Sequence, residues 1–176
     1  MMLRIAIRMI FMTSTCLLAP HAAAAEFDFG PFHVSVAADT SGVMTTSDYQ
    51  VVVSDPERVL TRLTAPYQGT LSKSFVVDLD RDGSFEVVVT FSHDQGHTTG
   101  IHVYSWNEYL LEPVAVAPLA ADDAVGYRGG DEFAIVDGAI VRIFQVHEER
   151  DDVWQPTAVQ RRLRYSLAES RWIREK

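Results

Sequence analysis

Short runs rich in Val, Ile, Phe and Tyr recur along the chain, and Gly, Pro, Asp and Ser separate them. Phe32, Val34 and Val36 fall on alternate positions, as do Ile101, Val103 and Ser105, and again Leu163, Tyr165 and Leu167. A strand turns successive side chains to opposite faces, so a period of two marks a half-buried strand. Strands are therefore predicted over 27–36, 49–54, 73–78, 85–91, 100–106, 131–136, 139–146 and 159–167. In the seventh, Ile140, Arg142, Phe144 and Val146 share one face and Val141, Ile143 and Gln145 the other, so both sides are expected to be covered. Such a central strand belongs in a sandwich. Asp137-Gly138 reads as a hairpin turn, and 55–63 as a two-turn helix with Asp55 at the N-cap and Pro56 at N1. The acidic stretch 148–152 reads as a solvated loop. The predicted fold is all-β, an antiparallel β-sandwich in a single domain.

The first residues follow a different pattern. Arg4 and Arg8 precede an apolar run, and Ala23-x-Ala25 offers small residues at a cleavage position. This is the pattern of a secretory signal peptide over 1–25; the apolar run is short for a membrane span and is broken by Thr13, Ser14 and Thr15. Cleavage after Ala25 leaves a domain of residues 26–176, exported and expected in the periplasm, with no membrane attachment. Cys16, the sole cysteine, leaves with the leader, so neither a disulfide nor a thiol nucleophile is expected.

The chain has 15 Lys and Arg against 24 Asp and Glu; loss of Arg4 and Arg8 takes the net charge from −9 to −11. That excess argues against nucleic acid as a partner and favours a cation or a cationic protein.

Asp78-x-Asp80-x-Asp82-Gly83-x-x-Glu86 places carboxylates at alternate positions of a Gly turn. Oxygens so spaced can wrap a hard cation, and Ca²⁺ is the one expected cofactor if there is any. Position 12 of the pattern is Val89 rather than the bidentate Glu of an EF-hand. The simpler reading is a β-turn whose Asp side chains cap backbone N–H groups. Gly129-Gly-Asp-Glu-Phe133 matches the signature of diguanylate cyclases, but its context of short strands and Pro113 and Pro118 is not that of a helix-rich cyclase. His93, His97 and His102 gather around one stretch, which could serve zinc or a pH-sensitive contact, with polar surface residues as the plainer account. Trp106, Trp154 and Trp172 fit packing more readily than sugar stacking. With no Ser/His/Asp set or Gly-x-Ser-x-Gly motif, no enzyme activity is expected.

Five segments, taken in order, resemble the periplasmic inhibitors of invertebrate-type lysozyme of Gram-negative bacteria. They are Val77-Asp-Leu-Asp-Arg-Asp-Gly-Ser-Phe-Glu-Val-Val-Val89, Tyr127-Arg-Gly-Gly-Asp-Glu-Phe133, Val141-Arg-Ile-Phe144, Pro156-Thr157, and Arg162-Leu-Arg-Tyr-Ser-Leu167 followed by Trp172. The resemblance implies a β-sandwich, often a homodimer, that plugs the substrate cleft of a lysozyme with a loop. The family's loop carries Ser-Gly-x-Tyr; this chain has Gln95-Gly96-His97-Thr98, so the motif has diverged. The expected lysozyme-binding loop, 92–100, centres on Gln95, Gly96, His97, Thr98, Thr99 and Gly100, assisted by a second loop of Tyr127, Arg128, Gly129, Gly130 and Asp131. The competing reading is a calcium-stabilised β-module that binds another periplasmic protein or a glycan, with Asp78, Asp80, Asp82 and Glu86 as ligands.

Overall fold

A computed structural model describes residues 24–38, 47–93 and 97–175, without the side chains of residues 24, 93 and 97–99. The expected leader, 1–25, lies outside the described residues except for its last two. Among the described residues twelve strands, all paired antiparallel, form three four-stranded meanders in chain order. The first sheet holds β1 (Ala24–Phe29), β2 (Phe32–Ala38), β3 (Ser47–Ser54) and β4 (Val59–Tyr67). The second holds β5 (Thr70–Val77), β6 (Glu86–His93), β7 (His97–Trp106) and β8 (Leu111–Val114). A single helical turn, α1 (Ala121–Ala124), precedes the third, made of β9 (Glu132–Val136), β10 (Ala139–Arg150), β11 (Val153–Ser166) and β12 (Arg171–Arg174). No helix among the described residues is long and apolar enough to cross a membrane.

The all-β antiparallel fold is as expected, and its layers number three. Val34, Val36, Tyr49, Val51 and Val53 from the first sheet share one core with Phe85, Val87, Val89, Phe91 and Tyr104 of the second. Val88 and Val103, on the other face of the second sheet, join Phe133, Ile140, Phe144, Leu163 and Trp172 of the third. The second sheet is therefore the middle layer. Its strand β6 is covered on both faces, Val87, Val88 and Val89 all being 0% exposed, and β7 is so at Val103 and Tyr104. A strand buried on both sides has no solvent face to keep polar, which explains the unbroken Val87-Val88-Val89 run. In the outer sheets alternation persists, with Tyr49, Val51 and Val53 buried between less buried Gln50, Val52 and Ser54.

Three sequence expectations need correction. Residues 55–63 are not a helix: 55–58 turn, and Val59–Tyr67 is a strand. Asp55 does cap, but it caps a turn, accepting from Glu57 N at 2.9 Å and Arg58 N at 2.8 Å. Beyond it the β-branched Val59, Thr61 and Thr64 favour the extended chain, and pairing with β3 supplies the backbone bonds. The run 27–36 is a hairpin rather than one strand, because Gly30 adopts φ +56° and reverses the chain. The stretch 148–152 is exposed as expected, yet residues 148–150 continue β10, and Asp151 and Asp152, both at positive φ, make the turn into β11. Asp137-Gly138 forms the predicted hairpin turn, at φ 50° and 71°.

Candidate functional site

The expected lysozyme-binding stretch sits at one end of the middle layer. Strand pairing runs further than the sequence suggests: Ser92 pairs with Thr98 and His93 with His97, so the connection is 94–96 rather than 92–100. Gln95 and Gly96 lie outside the described residues. His97, Thr98 and Thr99 belong to β7 by backbone, and the structure describes them no further. Gly100 pairs with Phe91, whose ring lies where a Cβ on Gly100 would come within 3.3 Å. A larger residue there would require the Phe91 ring to shift by a few tenths of an ångström.

Beneath this end lies a group of rings. Tyr49, fully buried on β3, has its hydroxyl 2.8 Å from His102 Nδ1 and 2.6 Å from the Tyr104 hydroxyl. The Phe91 ring packs against Tyr49, Tyr67 and His102 with centroids 5.4, 5.1 and 4.8 Å away. Burial pushes the Tyr49 hydroxyl, helped by Tyr104, far above the ordinary tyrosine range, and lowers the His102 pKa below 6.5. The network is thus held neutral, as a buried polar group without a charged partner must be. It ties the first layer to the middle one. Of the three clustered histidines, only His102 has a described side chain, and it bonds Tyr49 and packs on Phe91.

The acidic turn joins β5 to β6 at the opposite end of β6. Asp78 accepts from Arg81 N at 2.6 Å and Gly83 N at 3.1 Å; Asp80 accepts from Asp82 N, and Asp82 from Ser84 N at 2.7 Å. These are the backbone-capping bonds of the simpler reading. Glu86, 0% exposed, accepts from Leu79 N at 2.8 Å and the Ser105 hydroxyl at 3.0 Å. Burial raises its pKa, with the Asp80 and Asp82 charges adding to the rise against those two bonds. One carboxylate oxygen each from Asp78, Asp80 and Glu86 lies within 4.8 Å of the others, an oxygen set that suits a hard cation. Asp82, the fourth expected ligand, is not among them.

In the expected second loop Asp131 is buried, Tyr127, Gly129 and Gly130 are half-buried and Arg128 is exposed. Asp131, 5% exposed, receives Arg142 Nε at 2.7 Å and Nη2 at 2.9 Å, a bidentate pair. The Tyr127 hydroxyl donates to Asp131 at 2.5 Å and accepts from Arg142 Nη2 at 3.0 Å. Burial alone would lower the Arg142 pKa; Asp131 outweighs it and the net shift is upward. Tyr127 and Asp131 are therefore structural, because the side chains point at Arg142 and the ring of Phe144 instead of solvent. Arg128, in contrast, is exposed, with its guanidinium 3.5 Å from the centre of the Trp154 ring. Trp154 is the outward tryptophan of the three, at 41% exposure, while Trp106 and Trp172 are buried.

The sequence reading missed Tyr49 as the hydrogen-bond partner of both His102 and Tyr104. Alternation marks Tyr49 as inward-facing, but nothing local signals a bond across 53 residues. No family model matches this chain, and no curated protein or solved structure gives a match either.

Proposed function

We propose that the chain, exported and processed to residues 26–176, is a periplasmic, non-enzymatic protein that binds and inhibits a lysozyme through the β6–β7 hairpin end. The observation that carries this reading is the mounting of that end: it extends from β6, a strand buried on both faces, and is backed by the Tyr49, His102 and Phe91 group. Flanking strands fixed in the core keep down the ordering cost on their side of a contact, which favours affinity. The ordered segments that resemble the lysozyme inhibitors supply the partner class.

Lysozymes cleave with two carboxylates, one of them protonated. Gln95, His97, Thr98 and Thr99 carry donors suited to such groups, and Gly96 and Gly100 carry no side chain to obstruct approach. The net charge of −11 after processing steers a cationic lysozyme inward. Inhibition assays against invertebrate-type, chicken-type and goose-type lysozymes test the proposal. Inhibition of at least one is expected, and Gln95→Ala with His97→Ala should weaken it by about tenfold or more without moving the melting temperature. No inhibition of any of the three at micromolar concentration overturns it.

A second reading, a calcium-stabilised module, is favoured by the approach of Asp78, Asp80 and Glu86. Asp78→Ala removes two capping bonds and is expected to destabilise the fold by about 1–2 kcal/mol in chelator. A calcium titration of the melting temperature then decides the ion's part: a rise in the parent chain that the variant lacks supports this reading.

A further inference from the structure

Where β1 turns into β2, the acidic turn enters β6 and β7 turns into β8, three chain segments enclose a cleft of about 460 Å³. Its lining includes Phe29, Phe32, Phe85 and Trp106, together with Asp82 and Glu108. β7 is ten residues long, so the cleft lies roughly 30 Å from the hairpin end, at about 3.3 Å per residue. It is therefore a different surface from the one assigned to lysozyme.

The four rings form one cluster. Phe85 stacks on Trp106 at 5.8 Å and 11°, Phe29 lies 5.3 Å from Phe85, and Phe32 lies 5.8 Å from Phe85 and 5.7 Å from Trp106. Phe85 and Trp106 are buried as a floor; Phe29 and Phe32 are only half-buried and border the opening. Both carboxylates are exposed, and among the described residues no Lys, Arg or His lines the cleft. The indole N–H of Trp106 is the one buried side-chain polar atom among the described residues without a hydrogen-bond partner.

The walls are fastened to one another before any ligand arrives. Trp106 N donates to Phe85 O at 3.0 Å, and the Ser84 hydroxyl donates to Trp106 O at 2.5 Å. Asp82 is held by Ser84 N, and Asn107 Oδ1 receives Tyr109 N and Leu110 N at 3.2 and 3.0 Å. Glu108, between them, sits at φ 74°, a backbone state that a non-glycine residue adopts only when its surroundings impose it.

We propose that this cleft binds a small organic ammonium ion. Aromatic rings attract a cation through their quadrupole, and a poorly hydrated alkylammonium also gains from burying its methyl groups. Two acidic residues and no basic one in the lining add attraction for the same sign. The size falls within the range of small-molecule pockets, about 300–1,000 Å³.

Choline, followed by intrinsic tryptophan fluorescence and by ¹H–¹⁵N spectra of the indole groups, is the probe. Its uncharged counterpart, 3,3-dimethylbutan-1-ol, keeps the shape and the hydroxyl and loses the charge. Saturable binding of choline is expected, with the neutral alcohol weaker by about tenfold or more. Asp82→Asn, which keeps an oxygen to hold Ser84 N, and Glu108→Gln should each weaken choline by about threefold or more at unchanged melting temperature. Phe32→Ala should abolish binding, and the two carboxylate variants guard against a folding defect there. Absence of saturable binding overturns the proposal, as does equal binding of the alcohol, which would make the cleft merely apolar.

Discussion

Arg142→Met is expected to lower the stability of the fold by about 3–5 kcal/mol, measured by urea or thermal unfolding, because it strands the Asp131 carboxylate in the interior. Among the described residues Asp131 has no second cation: its oxygens receive Arg142 Nε, Arg142 Nη2 and the Tyr127 hydroxyl. The Arg142 side chain is 13% exposed and that of Asp131 3%, so water cannot replace the lost partner. The double variant Asp131→Leu with Arg142→Met should regain much of the loss, since a well-packed apolar pair avoids the desolvation that the ion pair bears. A partner-binding role for Tyr127 and Asp131 predicts the opposite pattern, a stability change within about 0.5 kcal/mol and a loss of inhibition. Retention of full stability in Arg142→Met would refute the structural assignment of this loop.

Gly126→Ala should be almost as costly, at about 2–5 kcal/mol, the sum of a backbone and a packing penalty. Gly126 has φ +74°, and a Cβ there would stand 2.5 Å from His147 O and 2.7 Å from Val146 Cγ1. The left-handed conformation alone costs an alanine about 1–2 kcal/mol, and crowding in a packed site adds about 1–3 kcal/mol. Backbone gives way poorly here, because His147 N donates to Gly126 O at 2.8 Å and Arg161 Nη1 donates to Val125 O at 2.9 Å. Gly129, three residues on, provides the control: its φ is +84°, but no atom lies within 4 Å of where its Cβ would stand. Gly129→Ala should therefore cost only the conformational part, about 1–2 kcal/mol. Equal effects at the two positions would mean that the loop does not pack on β10 as described.

The two substitutions bear on function as well as on stability. Both test whether 125–131 is scaffold for the third sheet, and scaffold is what the Asp131 and Gly126 contacts make it. Arg128 on Trp154 is the exposed part of the second loop. The acidic turn divides similarly. Its Asp side chains cap the backbone, as the Gly83 turn leads one to expect, while Glu86 turns inward, a placement that carboxylate spacing alone does not reveal.

By itself the sequence determined what is local. Alternation of Tyr49, Val51 and Val53, the Asp137-Gly138 turn and the capping acids are legible because side-chain period, turn geometry and Asx hydrogen bonds all act within a few residues. Residues 55–63 misled for the same reason: Asp55 and Pro56 are helix-start signals, and pairing with β3, a long-range interaction, decided the outcome. Only the tertiary structure decided the layering. Val87-Val88-Val89 signals burial on both faces, but it does not say that one sheet covers Val87 and another covers Val88. Nor could spacing along the chain bring Tyr49 to His102, Asp131 to Arg142, or Phe32 to Trp106. Each of these pairs depends on how sheets stack, and stacking is set by the complementarity of whole faces rather than by any residue's immediate neighbours.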